Sequence, residues 1–178
     1  MSVLILNPDK APEARRLWAA LAIFLLSFFA LQLGWSQARG TPLERWVIDG
    51  ATVRTSVALI NTLTPGAAAV ARGATIAAPD GGITVRNGCE GTEVLFLLVA
   101  ALAAYPFSWR LRLVGAIGGA VYVFLINQIR LVSLFYAIRN DRTLFNQLHG
   151  VVAPLLLVLC TLVFFAALRG WDRAIRHE

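Results

Sequence analysis

Three side chains in this sequence have the types needed for acyl transfer by a thiol, and they lie far apart along it: Cys89, Arg130 and His149. Such a reaction needs a nucleophile, a group that moves its proton, and a donor for the charge that develops on the attacked carbonyl oxygen. Arginine keeps its proton and has no acceptor atom, so the proton work falls to His149 and charge stabilisation to Arg130. Cys89 stands in Asn87-Gly88-Cys89-Glu90-Gly91 and is read as opening a helix, where free amide donors and the positive dipole end favour a thiolate. Asn127 precedes Arg130 by three residues and shares its helical face, which predicts a polar cluster. Glu93, one turn from Cys89, is placed to pair with Arg130 or His149, or only to add polar packing. With two cysteines and two histidines in the chain, no zinc or Cys-x-x-Cys pattern is available, and no metal or cofactor is expected.

Each group also has a plain structural reading. A cysteine at a helix start is more often a small buried hydrophobe than a nucleophile. An arginine in an apolar helix can snorkel to the membrane surface, and a lone interfacial histidine is usually structural. What favours chemistry is that the three reach one depth, and that depends on the elements that carry them.

Fifty-eight per cent of the 178 residues are hydrophobic, 15% are charged and the mean hydropathy is +0.68, too apolar for a soluble domain. The reading is an all-α membrane protein with about four transmembrane helices in a single integral membrane domain spanning residues 1–178. The crossings are placed at residues 17–35, 89–105, 111–138 and 149–168. The first is read as a retained helix, because its apolar run is longer than a signal-peptide core and a cleavage site is weak. The net charge of +6 is a topology signal and does not point to nucleic acid. Lys10, Arg15, Arg16, Arg110, Arg112, Arg169, Arg173 and Arg176 fall in the N-terminal segment, the turn at 106–112 and the C-terminal segment. Placing all three on the cytoplasmic side satisfies the positive-inside rule. Counting from those ends at ~1.5 Å per residue, Cys89, Arg130 and His149 lie about 24, 27 and 30 Å away, near the opposite interface. Cys160 lies about 16 Å deeper than His149 among Leu and Val and is read as core.

Residues 36–88 then form one extracytoplasmic segment. Leu43, Trp46, Val47, Gly50, Val53 and Val57 recur at helical spacing, with Glu44, Arg45, Asp49, Thr52 and Ser56 mostly opposite, which predicts an amphipathic helix on the membrane surface. A fifth crossing near 51–70 is the rival, and it would bury Arg54 and Asn61 and run through Pro65-Gly66. Pro79-Asp80-Gly81-Gly82 separates the β-favouring stretches Ala74–Ala77 and Ile83–Val85, a short β-hairpin leading into Cys89.

Asn87-Gly88-Cys89-Glu90-Gly91, then Asn127-Gln128-Ile129-Arg130, then Leu148-His149-Gly150 together resemble the signature of the exosortase/archaeosortase family of membrane cysteine transpeptidases. The resemblance covers roughly residues 70–168, and with four crossings the chain is similar to the compact, exosortase H-like kind. It implies Cys89 as nucleophile, Arg130 as transition-state stabiliser and His149 as acid/base, with Asn87, Gly91, Asn127 and Glu93 in support. It further implies location in a bacterial inner membrane, with both termini cytoplasmic and the site extracytoplasmic. The partners would be membrane lipid and the C-terminal PEP-CTERM-like sorting tails of secreted proteins, cleaved through a thioacyl intermediate; the acceptor, an amine or water, is not written in the sequence. The competing reading is a non-catalytic membrane scaffold or assembly subunit with Cys89 incidental. A thiol oxidoreductase lacks its second cysteine on one face, and a small transporter lacks an inverted repeat.

Overall fold

The long uncharged runs become helices because a chain in lipid must satisfy its backbone groups internally. The computed structural model describes residues 11–86 and 88–177. Helix α1 spans Ala11–Ala38, α4 Thr92–Ala104, α5 Trp109–Asn140 and α7 Ala153–His177. Between α1 and α4 lie α2 (Pro42–Arg45), a π-helical stretch Trp46–Val53 and α3 (Arg54–Leu63), then the strands β1 (Val70–Arg72), β2 (Thr75–Ala78) and β3 (Gly81–Thr84). Between α5 and α7 lie α6 (Arg142–Gln147) and a second π-helical stretch, Leu148–Val152.

Among the described residues, three helices are long and apolar enough to cross a membrane: Glu13–Ala38, Trp109–Asn140 and Arg142–Arg176. The chain is a membrane protein. The expected crossing at 89–105 is shorter than the sequence indicated. Its helix starts at Thr92, because Gly91 takes a left-handed conformation (φ 85°) and ends the irregular turn that holds Cys89. Cys89 therefore does not open the helix. His149 does not begin the last helix either; it lies inside a continuous helical run that starts at Arg142.

The basic turn at 106–112 and the basic C-terminal segment meet at one end of the bundle. Arg176 donates to the Pro106 carbonyl at 3.1 Å, and Arg112 to the Tyr105 carbonyl at 3.1 Å, which ties the C-terminal end of α7 to the turn after α4. At the far end the Trp35 indole N–H donates to Glu90 at 3.1 Å, so α1 and α4 run antiparallel. The helices pack tightly through Gly115 and Gly119 of α5, which lie against Leu168 and Leu98, so that a larger side chain at either would require those leucines to move.

The segment from Pro42 to Leu63 is helical as expected, but two residues expected on its polar side, Thr52 and Ser56, face inward. Ile48, Thr52, Val53, Ser56 and Ile60 are buried, whereas Leu43 and Trp46 are 55% and 69% exposed. Two bonds, one within the helix and one across the fold, explain why Thr52 and Ser56 turn inward. The Thr52 hydroxyl donates five residues back to the Val47 carbonyl, following the wider π turn. The Ser56 hydroxyl donates to the Gln128 side chain at 2.6 Å, so a polar residue faces inward because it has a buried partner there. This run is not among the helices long and apolar enough to cross, and Arg54 is exposed.

The expected hairpin is present and is extended by one strand into an antiparallel sheet of order β1-β2-β3. Ile76 and Ile83 oppose each other and are buried on one face, where they join Val53, Ile60, Leu131, Leu134 and Phe135 in a single core. Asp80 in the β2–β3 turn pairs with Arg139 of α5 at 2.7 Å. The C-terminal turns of α5 thus hold the strands.

Candidate active site

The turn that carries Cys89 is built by two glycines and one asparagine. Gly88 and Gly91 both adopt positive φ, 88° and 85°, a region costly for residues with a Cβ. The Cys89 N–H donates to the Arg86 carbonyl at 2.9 Å. The Cys89 carbonyl accepts from Asn127 Nδ2 at 3.0 Å. Asn127 is fully buried, and Gly91 packs directly on it: a Cβ at Gly91 would stand 3.2 Å from Asn127 Cγ. Asn127 and Gly91 therefore position the cysteine's backbone, and Asn127 connects it to α5.

Cys89 is 8% exposed, and what remains open faces a cleft of ≈ 360 Å³. Gly82, Ile83, Thr84 and Arg86 line one side of that cleft; Leu131, Leu134, Ile138, Phe145 and His149 line the other. Cys89 and His149 are thus brought to one cavity from two distant parts of the chain. The His149 ring is itself exposed and stacks on Phe145, four residues earlier, with centroids 5.4 Å apart and planes within 5°. Phe145 was not singled out in the sequence, although its spacing of four from His149 on a helix is a readable signal.

Arg130 is 9% exposed and lies one turn from Asn127 on α5. It is not among the residues that line the cleft of Cys89 and His149, whereas Leu131, its neighbour in sequence, is. Its Nε is buried and, among the described residues, has no hydrogen-bond partner. Glu93 is exposed, with its carboxylate against Gly88; among the described residues it makes no ion pair with Arg130 or His149. The reason is geometric: Glu93 sits on the first turn of α4, directed toward the Gly88 turn. Asn87 lies outside the described residues. Cys160 is a half-buried free cysteine on α7, with its backbone carbonyl accepting from Tyr122, and it has no place in the cleft.

Glu90 is a buried carboxylate that sequence reasoning left inside the motif without a role. Its Oε1 accepts from Trp35 Nε1 at 3.1 Å and from Thr92 Oγ1 at 3.0 Å. It anchors the cysteine turn to α1, and no local pattern linked Trp35 to it across that sequence distance. Among the described residues no group of three His, Cys, Asp or Glu is arranged to hold a metal ion.

An apolar helical bundle that gathers buried Asn, Gln, Arg and Glu at one end, near a thiol and an imidazole facing one cleft, is a membrane protein with a polar site at one end of its helices. The chain matches the family model described as transmembrane exosortase (Exosortase_EpsH) over residues 8–166, and it belongs to that family. Comparison with curated proteins and with solved structures gives no match.

Proposed function

We propose that this chain is a membrane cysteine transpeptidase that cleaves C-terminal, PEP-CTERM-like sorting tails of secreted proteins at the outer face of a bacterial inner membrane. The observation that carries the proposal is the common cleft of Cys89 and His149. In this reading the basic end of the bundle is cytoplasmic, as the positive-inside rule directs, and the cleft opens on the other side. Helix α4 completes a fourth crossing together with the cysteine turn. A substrate tail with an apolar helix and a basic end then lies beside the bundle and presents its scissile bond at the level of Cys89.

His149 accepts the Cys89 Sγ proton, and the thiolate attacks the scissile carbonyl carbon. The oxyanion that forms is met by the Arg130 guanidinium, whose buried Nε–H has no hydrogen-bond partner among the described residues. Collapse breaks the C–N bond, the leaving amine takes the proton from His149, and a Cys89 thioester remains. An acceptor amine or water then attacks the thioester and gives its proton to His149, and the thiolate leaves to be reprotonated. Asn127 and Gly91 act by holding the turn, and Phe145 by orienting the imidazole.

Co-expression with a tailed substrate tests the proposal. Cys89→Ala is expected to abolish processing in a folded enzyme, and unchanged processing would remove the nucleophile. Arg130→Ala is expected to cost roughly 10²–10³ in rate, the size associated with one oxyanion donor. Arg130→Lys keeps the charge but loses the planar fork, and near-normal rates there would reduce Arg130 to a point charge. A scaffold, by contrast, keeps its assembly function in all three variants.

A further inference from the structure

The sheet ends in a free edge, and that edge is a wall of the Cys89–His149 cleft. Strand β3 pairs with β2 alone. Just past β3, the Val85 N–H donates to the Ala74 carbonyl at 2.8 Å, so the Val85 backbone faces β2. Backbone groups in an antiparallel ladder alternate in direction from one residue to the next. Ile83 therefore turns its N–H and C=O toward β2, and Gly82 and Thr84 turn theirs outward. Among the described residues, no hydrogen bond reaches the backbone groups of Gly82 or Thr84 outside the sheet, and both residues are exposed.

The cleft touches Gly82, Ile83 and Thr84 in succession. Successive side chains of a strand point to opposite faces, so a cavity that meets three in a row runs along the strand's edge. Gly82 lies close against β2, where a Cβ would run into the Ile76 carbonyl oxygen, and it adds no side chain to the cleft. The far wall is apolar where Leu134, Ile138 and Phe145 line it. A slot with unpaired backbone donors and acceptors on one side and an apolar wall on the other matches one ligand shape, an extended polypeptide.

We propose that the substrate segment flanking the scissile bond binds as a fourth strand on the outer edge of β3. Gly82 and Thr84 supply two N–H donors and two C=O acceptors, and alternate substrate side chains face the Leu134–Phe145 wall. This rests on the transpeptidase reading for the identity of the occupant. The geometry is continuous with it, because Cys89 follows Thr84 by five residues and lines the same cleft. Main-chain pairing then supplies affinity whatever the substrate's side chains, and specificity is left to the alternate positions that meet the wall.

The test uses the full-length enzyme in lipid nanodiscs and a synthetic tailed peptide carrying single N-methyl amides at consecutive positions around the cleavage point. Binding is measured with Cys89→Ala enzyme and cleavage with the wild type. Every second position is expected to lose affinity about tenfold, the upper range for one hydrogen bond, with the positions between tolerant. Thr84→Pro removes one outward donor while leaving the ladder to β2 intact, a placement proline accepts on an edge strand. It is expected to raise KM about tenfold with kcat largely kept. Sensitivity without two-residue alternation, or a folded Thr84→Pro enzyme with unchanged KM, overturns the proposal; if that variant does not fold, the N-methyl series on the unaltered strand decides. Alternation in binding with no wild-type cleavage would keep the docking edge and remove the transpeptidase reading. Cleavage without alternation would do the reverse.

Discussion

Replacing Gly91 and Gly88 in turn by alanine separates two roles that glycine has in the cysteine turn. Both positions have φ near 90° and share the cost of placing a Cβ there, ~1–2 kcal/mol. They differ in what the Cβ meets. At Gly88 the nearest atoms belong to the carboxylate end of Glu93, an exposed and flexible side chain at 3.5 Å. At Gly91 they are Asn127 Cγ and Cβ at 3.2 and 3.3 Å, on a fully buried side chain that must give by a few tenths of an ångström. That shift falls on the 3.0 Å bond from Asn127 to the Cys89 carbonyl. If the bond breaks, a buried carbonyl is left unsatisfied at ~1–3 kcal/mol more. Gly91→Ala is therefore expected to destabilise by ~2–5 kcal/mol and Gly88→Ala by ~1–2 kcal/mol. Denaturant unfolding of the enzyme in detergent reads the difference. Substrate processing by the folded fraction is expected to fall roughly tenfold for Gly91→Ala alone, since even a 1 Å displacement of a reacting group costs about 10²-fold. Equal stability and equal processing for the two variants would refute the positioning role of Asn127.

Three further outcomes follow from single contacts. Ser56→Ala removes the 2.6 Å bond to Gln128, whose Nε2 is already buried without a partner among the described residues; a loss of ~1–3 kcal/mol in unfolding free energy is expected, and no loss would mean that water replaces the hydroxyl. Phe145→Ala removes the ring stacked on His149 and is expected to lower processing with little change in stability or in Cys89 alkylation by a small reagent, whereas parallel losses in all three would assign Phe145 to packing. Asp80→Ala breaks an ion pair whose carboxylate is 74% exposed, so thermal unfolding is expected to change by less than ~1 kcal/mol and the change to shrink further in high salt.

The bundle was legible because its signals are local and additive. Apolar runs mark the helices, and Arg110, Arg112, Arg169, Arg173 and Arg176 cluster at ends that the structure brings to one side. The hairpin was legible from Pro79-Asp80-Gly81-Gly82, though the residues before it did not announce a third strand, since Val70–Arg72 is only three residues long and exposed, with no buried residue to mark it. The meeting of Cys89 with His149 was readable as depth alone, by counting from the basic ends. What failed were inferences that depend on a distant partner. Thr52 and Ser56 read as the wet face of an amphipathic helix because Gln128, the partner of Ser56, is 72 residues away. Glu93 was singled out in the sequence and Glu90 was not, yet Glu90 is the buried carboxylate, held by Trp35 from another helix. The start of α4 was misjudged because a left-handed Gly91 stops a helix where hydrophobicity alone would extend it.

The covalent state of Cys89 during turnover tests the nucleophile assignment most directly. Wild-type enzyme mixed with a tailed peptide, quenched in acid and measured as the intact protein, is expected to carry an added mass equal to the acyl portion of the substrate. Fragmentation is expected to place that mass on Cys89, and hydroxylamine to remove it. Turnover with Cys89 unmodified, together with a Cys89→Ala enzyme that still cleaves, would contradict it.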